Sequence, residues 1–354
     1  MPRPLRRSIS ETKTSGGKPY WEGSLVVSEV IDEAIGIRTF RLKDPAGQTV
    51  FPFTGGQYLD ISVELGGQLV RRSYSISSSD QVRQYIDITV KREPHGMMSG
   101  YLFDEVGAGM RLNVRGPLGQ FTAEEARYER LVLIGAGVGV TPLMSIIRSL
   151  RDAESTRSVT ALFGFRNADY GLFTDELALL SAQSDWLDLT TAWSRPQGAE
   201  EGHKGRLDLA LVKRVVKQPK KASYFVCGPD AMMGMVRDGL ERTGVHSNDV
   251  HEEAFSAGPA DLSLGGEHSI TFGQGGMPVQ SEYGETLLDV GLRAGMPLDY
   301  SCRTGTCGLC VAQLLRGRVD HHKDDGLEDE DLERGRILSC QAYPLADCDL
   351  DFVD

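Results

Sequence analysis

No stretch of the 354-residue sequence approaches the roughly 18 uncharged apolar residues in a row that a membrane-spanning helix needs, so no membrane span is expected. Positive charge is in deficit: 38 lysines and arginines stand against 50 aspartates and glutamates, a net charge of −12. That balance argues against nucleic-acid binding over the molecule as a whole. Cysteine is scarce, at six residues too few for a disulfide scaffold. Residues 1–20 are basic but hold no apolar segment of the kind a secretory signal contains. Pro2, Pro4 and the Gly16-Gly17 pair break the amphipathic helix of a transit peptide. This stretch reads as a disordered basic tail, and a cytoplasmic protein is expected. Internal repeats and low-complexity blocks are also missing. What is present is ordinary globular composition, 40% hydrophobic and 25% charged. At about 100–200 residues per domain, the length predicts two or three domains.

Residues 21–125 show short alternating segments between Gly, Pro and Asp turns. Segments 24–30, 37–42, 58–63, 72–76, 86–91 and 111–115 predict strands, and so a small antiparallel barrel. A single helix is expected at 95–103. Residues 126–256 have a different texture. The continuous apolar run Leu131-Val132-Leu133-Ile134 predicts a strand buried on both faces. Further strands are expected at 159–165, 187–192 and 224–227, with helices at 142–150, 174–181, 207–216 and 230–243. This βαβ alternation predicts an α/β domain with a parallel sheet. Residues 257–268, rich in Gly and Ser, read as a linker. The last domain, 269–354, opens with a hairpin (269–272 and 277–281) and a helix at 287–294.

Cys302, Cys307 and Cys310 follow a C-x4-C-x2-C spacing, and Cys340 follows after 29 intervening residues. This is the spacing of a plant-type [2Fe–2S] site. Four thiolates must converge on two bridged irons, and Gly305 and Gly308 let backbone N–H groups approach the sulfides. A zinc site would more often show two C-x2-C pairs. Cys348 stands outside the pattern as a structural thiol, and His321 and His322 lie in a charged, solvated loop. Residues 269–354 carry seven basic and sixteen acidic residues, a net charge of −9. The negative charge is therefore concentrated around the cysteines and offers a docking face for a basic electron acceptor.

Gly135-Ala-Gly137-Val138-Gly139-Val-Thr141-Pro142 links the buried strand to a helix, and such a turn admits a pyrophosphate to the helix N-terminus. Cys227-Gly228-Pro229 ends a later strand at the same sheet edge, where ligands of open parallel sheets bind.

With Arg72-Ser73-Tyr74-Ser75 in the barrel, these motifs resemble the ferredoxin–NADP reductase superfamily, fused to a C-terminal plant-type ferredoxin of β-grasp fold. The whole is similar to the single-chain reductases of bacterial oxygenases, of the phenylacetyl-CoA epoxidase and ketosteroid hydroxylase types. The resemblance covers residues 22–354. It implies an FAD-binding barrel with Arg72 at the flavin phosphates, Tyr74 on the isoalloxazine and Ser75 near its N5. Ser73, Val90 and Lys91 complete that side, and His95-Gly96-Met97-Met98-Ser99 is the second flavin motif, favouring FAD over FMN. The resemblance further places Thr141, Cys227 and Glu253 with Ser75 at the hydride-transfer site, and Phe255 over the other flavin face.

An acid on the ribose 2′-hydroxyl is usual for NADH. Here Arg166 follows the second strand and Ser194-Arg195 the third, which suits the 2′-phosphate of NADPH. Asp169 keeps NADH open. A nicotinamide gives two electrons as one hydride and a [2Fe–2S] cluster takes one at a time, so a flavin between them is expected. The implied enzyme passes electrons from NAD(P)H through FAD and the cluster to a Rieske or di-iron oxygenase, the linker letting the ferredoxin domain swing. Two alternatives stay open: a non-oxygenase acceptor, such as a hybrid-cluster protein or a desaturase, and a redox-sensing module.

Overall fold

A computed structural model describes residues 13–15, 18–66, 68–198, 200–255, 262–273, 275–296, 298–322, 326–327 and 329–352. The chain forms two compact units, one spanning Glu22–Ala254 and the other Phe255–Asp354 together with the N-terminal residues up to Trp21.

In the first, β2 (Lys18–Ala34), β3 (Ile37–Lys43), β4 (Tyr58–Leu65), β5 (Gln68–Ser75), β6 (Ile86–Lys91) and β7 (Arg111–Leu118) form a sheet ordered β5-β4-β7-β2-β3-β6. An antiparallel bridge between Ile76 and Ile88 joins its two ends, closing the barrel. Phe40, Leu42, Leu59, Ile61, Ile86 and Ile88 are buried. The helix α1 (Met97–Asp104) is inserted between β6 and β7. β2 runs far beyond its expected bounds because bulges after Val27 and Asp32 disturb its alternation. β1 (Lys13–Ser15) pairs antiparallel with Lys18–Tyr20, inside the span expected to be a disordered tail. The ladder gives those backbone groups partners that a tail would find only in water. Residues 1–12 lie outside the described residues, as do 257–261 of the expected linker.

The parallel sheet comprises β8 (Arg130–Ala136), β9 (Ser158–Phe165), β10 (Leu187–Trp193), β11 (His203–Lys204), β12 (Ser223–Cys227) and β13 (Val250–Glu253), ordered β11-β10-β9-β8-β12-β13. Helices α2 (Val140–Asp152), α3 (Thr174–Gln183), α4 (Leu209–Val215) and α5 (Asp230–Arg242) alternate with the strands. The chain winds outward from β8 to β11, then returns to β12 on the other side. The order reverses between β8 and β12, so a crevice opens at their carboxyl ends. β11 and β13 were not expected: both are short edge strands, and β13 reads Val-His-Glu-Glu, without an apolar run.

One hydrophobic cluster joins barrel and sheet. Ile37 and Phe121 pack with Leu131, Leu143 and Ile147, and the Phe121 ring meets Phe225 edge-on at 5.4 Å. The polar face of α2 binds the barrel segment that follows β5. Ser145 donates to the Ser78 carbonyl at 2.7 Å, Arg148 donates to the Ser77 carbonyl at 2.6 Å, and Ser149 accepts from the Asp80 N–H at 3.0 Å.

In the second unit, β14 (Ser269–Phe272), β15 (Val279–Gln280), β16 (Val311–Arg316), β18 (Arg336–Leu338) and β20 (Cys348–Phe352) form a sheet ordered β15-β14-β20-β16-β18. β14 and β20 are parallel and the other pairs antiparallel, giving a β-grasp fold. β17 (Val319–His321) and β19 (Ala342–Pro344) pair with each other. Helix α6 (Leu287–Arg293) starts at a reciprocal Thr286–Asp289 cap and buries Leu287 and Val290 against Ile270, Phe272 and Leu350. A short acidic helix, α7 (Asp329–Glu333), precedes β18.

Gly56 tests the barrel's packing on α2. Its φ is +102°, and an added Cβ would lie 2.0 Å from the Phe121 carbonyl oxygen. Gly56→Ala is expected to lose about 3 kcal/mol of stability, measured by urea unfolding of the full chain.

Candidate functional site

Strand register builds the centre of the site. Cys227 ends β12 opposite Gly135 of β8 on one side and Glu253 of β13 on the other. The barrel supplies the facing wall, where the Ser75 hydroxyl at the end of β5 donates to the Glu253 carboxylate at 3.3 Å. Three of the expected catalytic residues are thus together. The fourth, Thr141, is buried in the first turn of α2 and its hydroxyl donates within its own turn, to the Val138 carbonyl at 2.9 Å.

The Gly-rich turn is tight for a reason the structure makes explicit. A Cβ on Gly139 would lie 2.4 Å from the Cys227 carbonyl oxygen, and one on Gly228 would lie 3.2 Å from the Ala136 nitrogen. Gly137 has φ +56°. The two strand ends therefore approach as closely as backbone allows, and the N-terminus of the 13-residue α2 opens beside them with no acidic residue in its first turn. Such an end attracts phosphate. Burial pushes the Cys227 thiol well up, and the neighbouring Glu253 adds to the shift, so it is a neutral, apolar surface at neutral pH. Gly119, which sequence reasoning missed, also borders the centre. With φ +95°, its Cβ position lies 4.0 Å from Glu253 Oε1.

On the barrel, Tyr74 precedes Ser75, and burial pushes its phenol up, keeping it neutral. The Ser73 hydroxyl donates to Asp60 at 2.8 Å, and Asp60 is buried against Arg115, also at 2.8 Å. Ser73 thus serves to anchor β5. Arg72 is exposed and donates to the Arg71 carbonyl. Val90 is buried, while Lys91 is exposed and paired with Glu93 at 2.8 Å. His95 is exposed with φ 62°. Gly96 caps α1 without a side-chain partner, and an added Cβ there would lie 2.4 Å from Ser99 Oγ. Met97 is exposed and Met98 buried at this helix start. The uncapped amides and the glycine fit a phosphate-bearing flavin. Pro229 caps α5, and Phe255 is half exposed. Arg166 and Arg195 sit side by side on the sheet edge, with the Arg195 N–H donating to the Arg166 carbonyl at 2.7 Å. Both side chains and Ser194 are exposed.

In the second unit, the four patterned cysteines form two pairs. The Cys307 thiol donates to Cys302, lowering Cys302 to about 4 and raising Cys307; the Cys340 thiol likewise lowers Cys310. Cys302, Cys307 and Cys310 also act electrostatically on Cys340. Among the described residues, no three His, Cys, Asp or Glu side chains converge to hold one metal ion. Two thiol pairs fit two metals with two thiolates each, as in [2Fe–2S], better than a single tetrahedral zinc. Cys310 and Cys340 pack with Leu288 and Leu338, a largely apolar setting. Gly308 has φ +72°, and its Cβ would lie 2.7 Å from the Gly326 carbonyl. The Thr304 N–H donates to Cys302 Sγ at 3.4 Å. Cys348 is fully buried in the sheet core and is structural. His321 is not merely solvated, because its Nε2 accepts from the Leu338 N–H at 3.2 Å, while His322 pairs with Asp320.

Known families match each part in order: an oxidoreductase FAD-binding domain over residues 24–123, an oxidoreductase NAD-binding domain over 133–238 and a 2Fe-2S iron-sulfur cluster binding domain over 273–345. The chain is similar to the glycine betaine monooxygenase reductase subunit of Pseudomonas aeruginosa, at 29% identity covering 92% of this chain and 93% of that one. It is 31% identical to the ferredoxin reductase component of the 3-ketosteroid-9-alpha-monooxygenase of Mycobacterium tuberculosis, covering 95% and 98%. Its fold matches phthalate dioxygenase reductase with a TM-score of 0.62 and 27% identity, covering 94% and 98%.

Two substitutions separate the two halves of the site. Gly139→Ala is expected to retain flavin but slow its reduction by pyridine nucleotide about 100-fold in stopped flow, because the β8 and β12 ends must part. Cys340→Ser is expected to lose the iron–sulfur absorbance bands while keeping flavin and nucleotide-dependent flavin reduction.

Proposed function

Because the chain belongs to the family of FAD- and [2Fe–2S]-dependent oxidoreductases that are reductase components of oxygenase systems, we propose that it draws electrons from NAD(P)H and delivers them to a terminal oxygenase. The observation that carries this reading is the register neighbourhood of Gly135, Cys227 and Glu253 at the reversal of the parallel sheet, faced by Ser75 of the barrel. Bound FAD would supply two-electron hydride chemistry and a [2Fe–2S] centre one-electron chemistry, and so the conversion from paired to single electrons.

The chain's own residues bind, orient and insulate. The α1 and α2 N-termini offer backbone amides to phosphates. Gly139 lets the β8 turn close on the β12 end, Gly137 leaves open space beside it, and neutral Cys227 gives a nicotinamide an uncharged floor. Glu253, held by Ser75, sets the polar rim of the same crevice. Cys302 with Cys307, and Cys310 with Cys340, would hold the two irons, in an apolar setting that limits water.

The partner is an oxygenase that docks on the acidic ferredoxin portion, where the net charge of −9 favours a basic face and speeds encounter. Among the described residues no helix is long and apolar enough to cross a membrane. Cytoplasmic action is in keeping with six unpaired cysteines.

Anaerobic titration with NADH and with NADPH, followed by visible absorbance, tests the reading. Both the flavin and the iron–sulfur bands are expected to bleach. Flavin bleaching beside an unchanged cluster would overturn the electron path.

A further inference from the structure

A second cavity lies on the same sheet edge, beyond the carboxyl ends of β9 and β10. It measures about 410 Å³ and is lined by Asn167, Ala168, Asp169, Gln197, Gly198 and Glu200. In a parallel sheet whose phosphate turn follows β8, the end of the next strand is where the adenosine ribose is read: an acid there accepts from a 2′-hydroxyl, while arginine accommodates a 2′-phosphate. The lining of this cavity includes three side-chain acceptors, on Asn167, Asp169 and Glu200. Asn167 is 2% exposed, and its Oδ1 is buried without a hydrogen-bond partner. Such an acceptor calls for a donor from a ligand. Asp169 and Glu200 add two carboxylates. Arg166 and Arg195, the residues that suggest NADPH from sequence, do not line the cavity. The Arg166 guanidinium instead lies over the Tyr170 ring, 5.2 Å from its centroid.

Glu200 is fixed in place. Its Oε1 accepts from the Gln197 N–H at 3.0 Å and the Ala168 N–H at 3.4 Å, and its Oε2 accepts from the Gly198 N–H at 2.8 Å. These are the backbone donors a phosphate would use, and the chain's own carboxylate already holds them. We propose that Asn167 and Glu200 set the nucleotide preference of this site in favour of NADH, Asn167 accepting from the adenosine ribose and Glu200 excluding a 2′-phosphate by occupying its amides. The amides of Gln197 and Gly198 hold the Glu200 carboxyl down to about 2, so it stays charged throughout the neutral range. Exclusion therefore does not vary with pH there. This assignment rests on the reading of the chain as an NAD(P)H reductase.

Its test is steady-state kinetics of the flavin- and cluster-loaded full chain with both nucleotides and an artificial electron acceptor, for the unmodified protein and for Glu200→Gln. The unmodified protein is expected to favour NADH in kcat/KM by at least about tenfold. Glu200→Gln is expected to cut that ratio about tenfold through a lower KM for NADPH, with kcat unchanged. As a probe free of any substitution, AMP should inhibit the unmodified protein at lower concentration than adenosine 2′,5′-bisphosphate. A preference for NADPH overturns the assignment, as does tighter binding of the bisphosphate. A Glu200→Gln variant that loses both nucleotides equally, or leaves the ratio unmoved, also overturns it. In each of those cases reduction by either nucleotide leaves the reductase reading standing, whereas absence of reduction by both removes the two together.

Discussion

The seam between barrel and parallel sheet is the constraint on which the site depends. Ser75 belongs to one layer and Glu253 to the other, yet they meet at 3.3 Å. That contact survives only if the layers are fixed to within a fraction of an ångström. The fixing is done by α2, which buries Leu143 and Ile147 in the shared core and turns Ser145, Arg148 and Ser149 toward Ser77–Asp80. The same helix presents its N-terminus at the crevice. One element therefore both locks the layers and offers the phosphate-binding end, so a change in its seating is felt at both.

Burial sorts the six cysteines into three roles. Cys227 is sealed beside a carboxylate, is driven neutral and forms part of a wall. Cys348 is sealed in an apolar sheet and fills space. The other four face one another in pairs, where the Cys307 and Cys340 thiols stabilise the thiolates of Cys302 and Cys310, the form that binds iron. The chemistry of each sulfur follows from what surrounds it.

The nucleotide-facing edge shows the same dependence on surroundings. In sequence, Arg166 and Arg195 promise a phosphate site. In the fold their side chains are exposed, and the cavity beside them is lined by an unpartnered amide oxygen and carboxylates. Glu200 lies far enough along the chain from the β9 end that no local pattern joins it to Ala168. The loop after β10 has to close back before that carboxylate can reach the Ala168 amide.

By itself, the sequence determined the architecture and the cofactor chemistry. The apolar run at Leu131–Ile134, the glycines after it and the alternation at Ile86–Lys91 express local periodicity and backbone permissiveness, which act over a few residues. The cysteine spacing works in the same way, because it encodes a loop around a centre of known size. Tertiary structure alone decided what those segments meet. β13, polar and four residues long, carries no strand signal, yet its pairing with β12 sets Glu253 beside Cys227. Gly119 and Glu200 likewise acquire their places from long-range closure. The Thr141 and Ser73 hydroxyls donate to Val138 and Asp60, partners that no local pattern announces for Ser73. The physical reason is common to all of them: a hydrogen-bonding side chain takes whichever partner the fold brings within about 3 Å, and that choice is made between segments distant in sequence.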